Sequence, residues 1–325
     1  MYFPYLKGRY EVAPGLLSLE KDFGNGAWDQ KLFQVGPDFE TFRAQKLQNR
    51  RNEALSKYVC FSPSADFLAV GQIVEFMAQQ LVREYPLEFK FQSGAEGFQF
   101  ENTRTGEILQ FHAKNDSVLV LRGEVQYENA WHAIGTQVPE DLAIWKLNAD
   151  GSEEIEALHL NAPNHWAAED KVGKSFAAVH QPVAHIEKIV PWAVQILEGI
   201  IEKGPYVRFA WGVGTDSRLN HHPKPSAGIP ESLWAGRLFD EANPSLFIRV
   251  ERQVLWGFPG LNRALFTIRT YFQNVEELAC THPLALRGLI DAIDSMTPQS
   301  LHYKGLSQNK DRVKHWLNSL LSEKK

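Results

Sequence analysis

The pattern of apolar and polar positions divides the chain into stretches of two different periods. From Phe67 to Glu84, Leu68, Ile73, Phe76, Met77, Leu81 and Val82 recur near the helical spacing, between Pro63 and Pro86. This predicts an amphipathic helix. The period then drops to two: Phe89, Phe91, Phe98, Phe100, Ile108 and Phe111 alternate with polar residues, punctuated by Gly94, Gly97 and Gly106. That pattern reads as an antiparallel meander of short strands, with Val118–Leu121 as either a strand or part of a helix. Residues 130–148 read as a helix followed by a strand, Leu142–Leu147, and Ala157–Leu160 as another short strand. A helix from about Ile186 to Lys203 stops at Gly204-Pro205 and leads into a strand, Val207–Val213. Phe247–Trp256 and Arg263–Tyr271 alternate on either side of Gly257-Phe258-Pro259-Gly260, which predicts a hairpin.

The remaining segments are of other kinds. Residues 1–57 open with turns and continue into a polar helix around Phe39–Tyr58, expected on the solvated surface. Two helices, Pro283–Met296 and Lys310–Ser322, end the chain. Residues 161–180 are irregular. Residues 214–244, punctuated by Pro223, Pro225, Pro230 and Pro244, read as a long ordered loop of the kind that carries function or links elements. Strands and helices do not alternate regularly, which argues against a doubly wound parallel sheet. The period-2 segments are expected to form one mostly antiparallel sheet, with helices 67–84 and 186–203 packed on it.

Composition narrows the function classes. The chain has 325 residues, 44% hydrophobic and 22% charged, as a globular protein does. Lysine plus arginine is 34 and aspartate plus glutamate 39, so the formal charge is 34 − 39 = −5. That balance disfavours a protein that holds nucleic acid by bulk charge. Two cysteines, Cys60 and Cys280, supply no disulfide framework and no four-thiolate metal site, and fit a reducing, cytoplasmic setting. No run approaches 18 apolar residues, so no membrane span is expected, and Met1–Pro14, with Lys7, Arg9 and Glu11, holds no apolar run of signal-peptide length. Aromatic residues reach 12%, with 9 Trp and 20 Phe beside 11 His; they build cores first, but also suit a large flat ligand.

No phosphate-binding loop, HExxH, GxSxG or GxGxxG motif is present, and Gly212-Val213-Gly214 is only part of a dinucleotide fingerprint. The histidines carry more. His180 and His185 flank Gln181-Pro182-Val183-Ala184, where proline blocks the regular helix that would pair them. A single axial imidazole needs only one neutral histidine on a rigid segment, and the chain before Pro182 is expected to be held extended. His222, of the pair His221-His222, is the alternative ligand, and His165 beside Trp166 is a third candidate. In the hairpin, Glu251, Gln253, Arg263, Arg269 and Tyr271 are set along two neighbouring strands. Cross-strand charge pairing would account for them, as would arginines that grip carboxylates bidentately.

The order Leu158-His-Leu160, Pro163-Asn164, Trp166, Lys171-Val-Gly173, Phe176 and His180-Gln-Pro-Val183 resembles the alpha subunit of haem-dependent oxidative N-demethylase and its uncharacterised relatives. So do Glu251-Arg-Gln-Val-Leu255, Leu265-Phe-Thr-Ile-Arg-Thr-Tyr271, and Gly204-Pro-Tyr-Val-Arg-Phe209 with Trp211 and Asp216. Together the matches run from about residue 10 to 305. The chain departs from the pattern at His165, Val138-Pro139 and His221-His222.

The resemblance implies an α+β fold: a PAS-like, mostly antiparallel sheet wrapped by helices, over residues 1–280, with a C-terminal helical extension over 281–325. It implies haem b, with His180 as axial ligand, and oxidative demethylation of a small secondary amine by O₂. Electrons would come from a partner reductase carrying flavin and iron–sulfur centres. On chemical grounds Arg208, Arg252 and Arg269 are the candidates for haem carboxylates. Glu251 and Asp216 are candidates for a cationic amine, and Tyr271 for a donor to oxygen. A haem or small-ligand sensor of PAS type without turnover, and a carrier of apolar ligands, are the alternatives.

Overall fold

The structure is a computed structural model and describes residues 1–112, 116–226 and 228–322. Eleven strands form among these residues: β1 (Leu17–Ser18), β2 (Val59–Phe61), β3 (Phe89–Gly94), β4 (Gly97–Asn102), β5 (Glu107–His112), β6 (Val118–Arg122), β7 (Asp141–Leu147), β8 (Glu153–His159), β9 (Tyr206–Gly214), β10 (Phe247–Phe258) and β11 (Arg263–Asn274). The helices are α1 (Phe39–Asn52), α2 (Phe67–Glu84), α3 (Ala130–Gly135), α4 (Phe176–His180), α5 (Ala193–Lys203), α6 (Glu231–Trp234), α7 (Val275–Thr281), α8 (Pro283–Asp294), α9 (Pro298–Tyr303) and α10 (Lys310–Ser322). The fold is α+β.

The strands make two sheets where one was expected. A seven-stranded sheet runs β1-β9-β10-β11-β7-β8-β2 and a four-stranded one β3-β4-β5-β6, with every pairing antiparallel. Alternation specifies a strand's two faces but not its partner. The small sheet stacks its phenylalanines, Phe89 on Phe100 at 5.5 Å and Phe98 on Phe111 at 4.7 Å. Their apolar face packs into the same core as Ile73, Met77 and Leu81 of α2, so the meander lies across α2 and does not extend the large sheet.

The large sheet is covered on both faces. On one, α2 meets Leu142, Val207, Val254 and Leu265. Further along the same face, α7, α8 and α10 join Tyr2 and Tyr5 against Trp211, Ile248 and Val250. Asp66 caps α2, its carboxylate accepting from the amides of Leu68 and Ala69. On the opposite face Leu197, Ile200 and Ile201 of α5 pack on Trp145, Tyr206, Leu255 and Ala264. A Cβ at Gly257 would lie 2.2 Å from the Ile201 carbonyl, so only glycine lets the end of α5 approach β10 this closely.

Two local expectations change, and one alternative left open is settled. The polar helix ends at Asn52, and it is not a solvated one: Arg43, Lys46 and Asn49 are buried. Lys46 Nζ donates to the carbonyls of Gly135 (2.7 Å), Val138 (2.8 Å) and Glu140 (2.6 Å), so its charge caps carbonyls left open at and beyond the end of α3. The helix expected over 186–203 is two 3₁₀ turns followed by α5, because Pro191 falls inside the run. Residues 118–121 form a strand, β6.

Candidate functional site

Directly opposed residues of antiparallel strands share a face. The pairings Arg208–Gln253, Ala210–Glu251 and Gly212–Arg249 between β9 and β10, continued on β11 by Ile268, Thr270 and Phe272, therefore define one surface. It is the face that carries α5 at its other end. From Arg208 to Gly212 it runs about 13 Å, with only Ala210 between them on β9. Its cover is mostly irregular chain, namely residues 161–175 with the short helix α4, the loop after β9, and the end of α9.

Arg249 ties that cover to the sheet. Its guanidinium donates to the Leu219 carbonyl (3.0 Å), the Ala162 carbonyl and the Thr270 hydroxyl (3.2 Å), and its Nε to Glu251 (3.2 Å). Glu251 also accepts from Gln253 Nε2 at 3.1 Å, so both carboxylate oxygens are engaged. Asp141, buried at the edge of this surface, accepts from the amides of Asn161 (2.6 Å) and Ala162 (2.9 Å). Burial nevertheless pushes its carboxyl up to about 6. The two covering loops also hold each other, His165 N donating to the His221 carbonyl and His221 N to the Pro163 carbonyl, both at 3.0 Å.

His180 is the last residue of α4, and Gln181 after it is helical, so the extended backbone expected before Pro182 is not found. Rigidity comes instead from the helix. His180 Nδ1 is 3.0 Å from the Phe176 carbonyl and the ring stacks on Phe176 with centroids 4.0 Å apart. Because a carbonyl only accepts, Nδ1 carries the hydrogen, and Nε2 has no partner among the described residues. Burial pushes the imidazole down to about 4, and nearby Arg208 and Lys171 add to this, so the ring is neutral at pH 7. Arg208 is itself lowered by burial, with Glu251 opposing, and its buried Nε has no partner among the described residues. An imidazole in this tautomer beside an under-paired guanidinium is a donor set that fits a haem iron and a haem carboxylate.

At the glycine end, His165, Asp216, His221, Arg237 and Lys304 surround a cavity of about 30 Å³ over Gly212. That is room on the order of two waters, so this cavity does not take a macrocycle. Asp216 accepts from His221 Nε2 (2.9 Å) and Arg218 Nη2 (2.8 Å). Burial alone would raise its carboxyl, but these hydrogen bonds prevail and hold it well below the usual range. Lys304 donates to the Trp211 carbonyl, and burial pushes it down to about 8.

The structure thus gathers Arg208, Glu251, His180 and Asp216 around one face and puts Arg252, Arg269 and Tyr271 on the other. Arg252 pairs with Arg269 across the hairpin, one residue out of phase with Glu251. Its Nη2 donates to the carbonyls of Asp29 (2.8 Å) and Lys31 (2.7 Å), and the residue is fully buried, although Nε and Nη1 lack partners among the described residues. Arg269 pairs with Asp38 at 2.6 Å and donates to the carbonyls of Gln34 (3.3 Å) and Thr270 (3.1 Å). Tyr271 donates to Gln34. None of the three meets His180. His222 has both ring nitrogens engaged, Nδ1 accepting from Lys224 N at 3.0 Å and Nε2 lying 3.3 Å from Glu169. His165 has a left-handed backbone (φ 62°), and burial pushes its ring down to about 3.

Sequence reasoning passed over Arg249, Arg237 and Lys304. Arg249 was within reach, since Arg249, Glu251 and Gln253 are spaced by two. Arg237 and Lys304 arrive from a loop and a helix end, and no local pattern announces them.

A family model described as haem-dependent oxidative N-demethylase, alpha subunit-like, matches residues 25–314. The match takes in the whole small sheet, all of the large sheet except β1, α4 with His180, and both covering loops. The chain belongs to the haem-dependent oxidative N-demethylase alpha subunit-like family.

Proposed function

We propose that the chain is the haem-binding subunit of an oxidative N-demethylase acting on a small secondary amine, with the large sheet and its helices as a PAS-like haem domain. The observation that carries this reading is the juxtaposition at one end of the first face. There His180 has Nδ1 on the Phe176 carbonyl and Nε2 unengaged, and the under-paired Arg208 lies in its field. His180 Nε2 would hold the iron of haem b, and Arg208 a propionate. When bound, the haem supplies oxygen activation and the oxidation of the N-methyl carbon. Phe176, stacked on the imidazole, fixes the ring plane. Glu251, taken up by Arg249 and Gln253, balances the charge of Arg208 and does not reach for substrate. Asp216 acts through His221.

The reading includes a partner reductase with flavin and iron–sulfur centres, because two cysteines cannot ligate a four-thiolate cluster. It also includes a cytoplasmic location; no helix of the described residues is long and apolar enough to cross a membrane. The experiment is the visible spectrum of the purified chain and of His180→Ala. A Soret band in the wild type, lost or strongly shifted in the variant while far-UV circular dichroism is unchanged, is the expected result. A variant spectrum identical to wild type removes His180 as the ligand. Haem that is reduced and binds CO, yet gives no formaldehyde from any secondary amine with a competent reductase, turns the reading to a sensor.

A further inference from the structure

The short helix α4, which carries His180, cannot set its own direction. It is five residues long, and none of them is fully buried. So short a helix gains too little from its own hydrogen bonds to be stable alone, and its ties to the body of the fold decide where it points. The chief tie comes from β8. Ile144 of β7 pairs with Ala157 and Trp145 with Ile155, which leaves Glu156 as an extra residue in β8. This bulge reverses the parity of the strand on its N-terminal side. Ile155 therefore joins Leu158, three residues on, in the apolar cluster against which Val179 of α4 packs. Glu153 alternates with Ile155 and shares its side. Glu154 and Glu156 point the other way, to Ser62 at 2.9 Å and to Arg263 at 2.8 Å.

Glu153 Oε2 accepts from the amide of Phe176 at 2.7 Å. Phe176 is the first residue of α4, and the two contacts that fix the His180 ring are both made with it. Its carbonyl accepts from Nδ1 at 3.0 Å, and its ring stacks on the imidazole at 4.0 Å. The carboxylate thus reaches the imidazole in two steps, through one residue. The other ties act further along. Ser175 Oγ accepts from the Ala178 amide at 3.4 Å, and Lys171 Nζ donates to the Val179 carbonyl at 2.6 Å. The chain that leads into α4 is fastened to the same part of β8: Gly173 N donates to the Ile155 carbonyl (2.8 Å) and Ile155 N to the Lys174 carbonyl (3.1 Å).

We propose that Glu153 is a positioning residue for the axial imidazole. Acting through Phe176, it fixes the direction of His180 Nε2 and the tautomer that leaves Nε2 free to ligate. The inference rests on the demethylase reading for what Nε2 holds, but the placement of the ring does not depend on it. Where a histidine ligates a metal, the groups that hold its other ring nitrogen set the ring's orientation, and losing them weakens the metal's hold.

The test follows haem transfer from the full chain to excess apomyoglobin, together with the Soret band and far-UV circular dichroism. Glu153→Ala should release haem about tenfold faster than wild type and shift the Soret band, with circular dichroism unchanged. Glu153→Gln keeps an acceptor of the same reach and should recover most of the loss. Glu154→Ala removes a carboxylate from the opposite side of the same strand and should behave as wild type. Should Glu153→Ala fail to fold, Glu153→Asp shortens the same reach by one methylene and should give a smaller rise in rate. The haem-free chain supplies a second readout. Proton–nitrogen correlation spectra should show His180 as the Nδ1–H tautomer alone in wild type and Glu153→Gln, and as both tautomers in Glu153→Ala. Wild-type haem release by Glu153→Ala, a single tautomer in that variant, or an equal loss in Glu154→Ala overturns the proposal. A wild-type chain without a Soret band removes the demethylase reading and leaves the tautomer spectra to decide on Glu153. A Soret band that Glu153→Ala does not disturb removes the positioning role alone.

Discussion

The two faces of the seven-stranded sheet are made by the same residues of chain, alternately, and they are finished in different ways. The face under α2 and the C-terminal helices is filled by Val207, Val254, Leu265, Ile248 and Val250, all fully buried. Its two arginines are turned onto backbone carbonyls and Asp38. The other face carries α5 at one end, then small residues and charges under irregular chain. Both faces keep buried side-chain atoms with no partner among the described residues, Arg252 Nε and Nη1 and Thr267 Oγ1 on the first and Arg208 Nε, Arg237 Nε and His221 Nδ1 on the second, so the cover and not the unpaired atoms distinguishes them. Regular elements that cover a sheet bury apolar area and contribute stability. Loops that cover a sheet present polar atoms to whatever enters. The comparison assigns stability to the first of these surfaces and ligand chemistry to the second.

The largest effect expected tests that division directly. Leu265 is completely buried between the sheet and α2. Leu265→Ala should cost about 2–5 kcal/mol in urea unfolding, through lost transfer and a residual cavity. Haem absorbance per folded molecule should be unchanged. His180→Ala should do the reverse, losing the Soret band while stability changes by about 1 kcal/mol or less. If His180→Ala destabilises as much as Leu265→Ala, the two faces do not divide the work.

A smaller effect separates the arginines. Arg269→Met removes the donor to two carbonyls and the partner of Asp38, and should cost about 1–3 kcal/mol. Arg208→Met removes a guanidinium whose buried Nε is unmatched, so stability should stay within about 0.5 kcal/mol or rise. Haem retention on gel filtration should fall for Arg208→Met and hold for Arg269→Met. The opposite pattern would move the haem carboxylates to the other face.

Much of this was legible in the chain. The period of two located β3, β4, β7, β9 and the long hairpin, and the helical period located α2, α8 and α10. Parity along β10 was legible as well: Arg252 lies one residue from Glu251 and so must face away from it. Partner choice was not legible, because the phenylalanines of β3–β5 are equally suited to extending a large sheet or to facing α2. Nor was the burial of Lys46. Its helix is mostly polar, and what surrounds the ammonium is a set of carbonyls about 90 residues away in sequence. The cavity draws its lining from residues 164–304, so its charge balance exists only once the fold does.

The smallest effect concerns pH, and its sign follows from burial. Histidines in the unfolded chain titrate near 6.5. In the fold, burial pushes His132 and His165 down to about 3 and His180 to about 4, and His159, on the apolar side, well below its ordinary value. A depressed histidine binds its proton better when unfolded. Its contribution to stability is therefore complete above about pH 6.5 and is lost as the pH falls through the folded values. The urea midpoint should drop between pH 7 and pH 5. His180→Gln should flatten only a minor part of that slope, because His180 is half-buried and solvent screens its charge. The fully buried His159 should account for more of it. Identical slopes for wild type and His180→Gln would mean that the imidazole keeps its ordinary proton affinity in the fold, and with it the case for a neutral ligand on this face would fail.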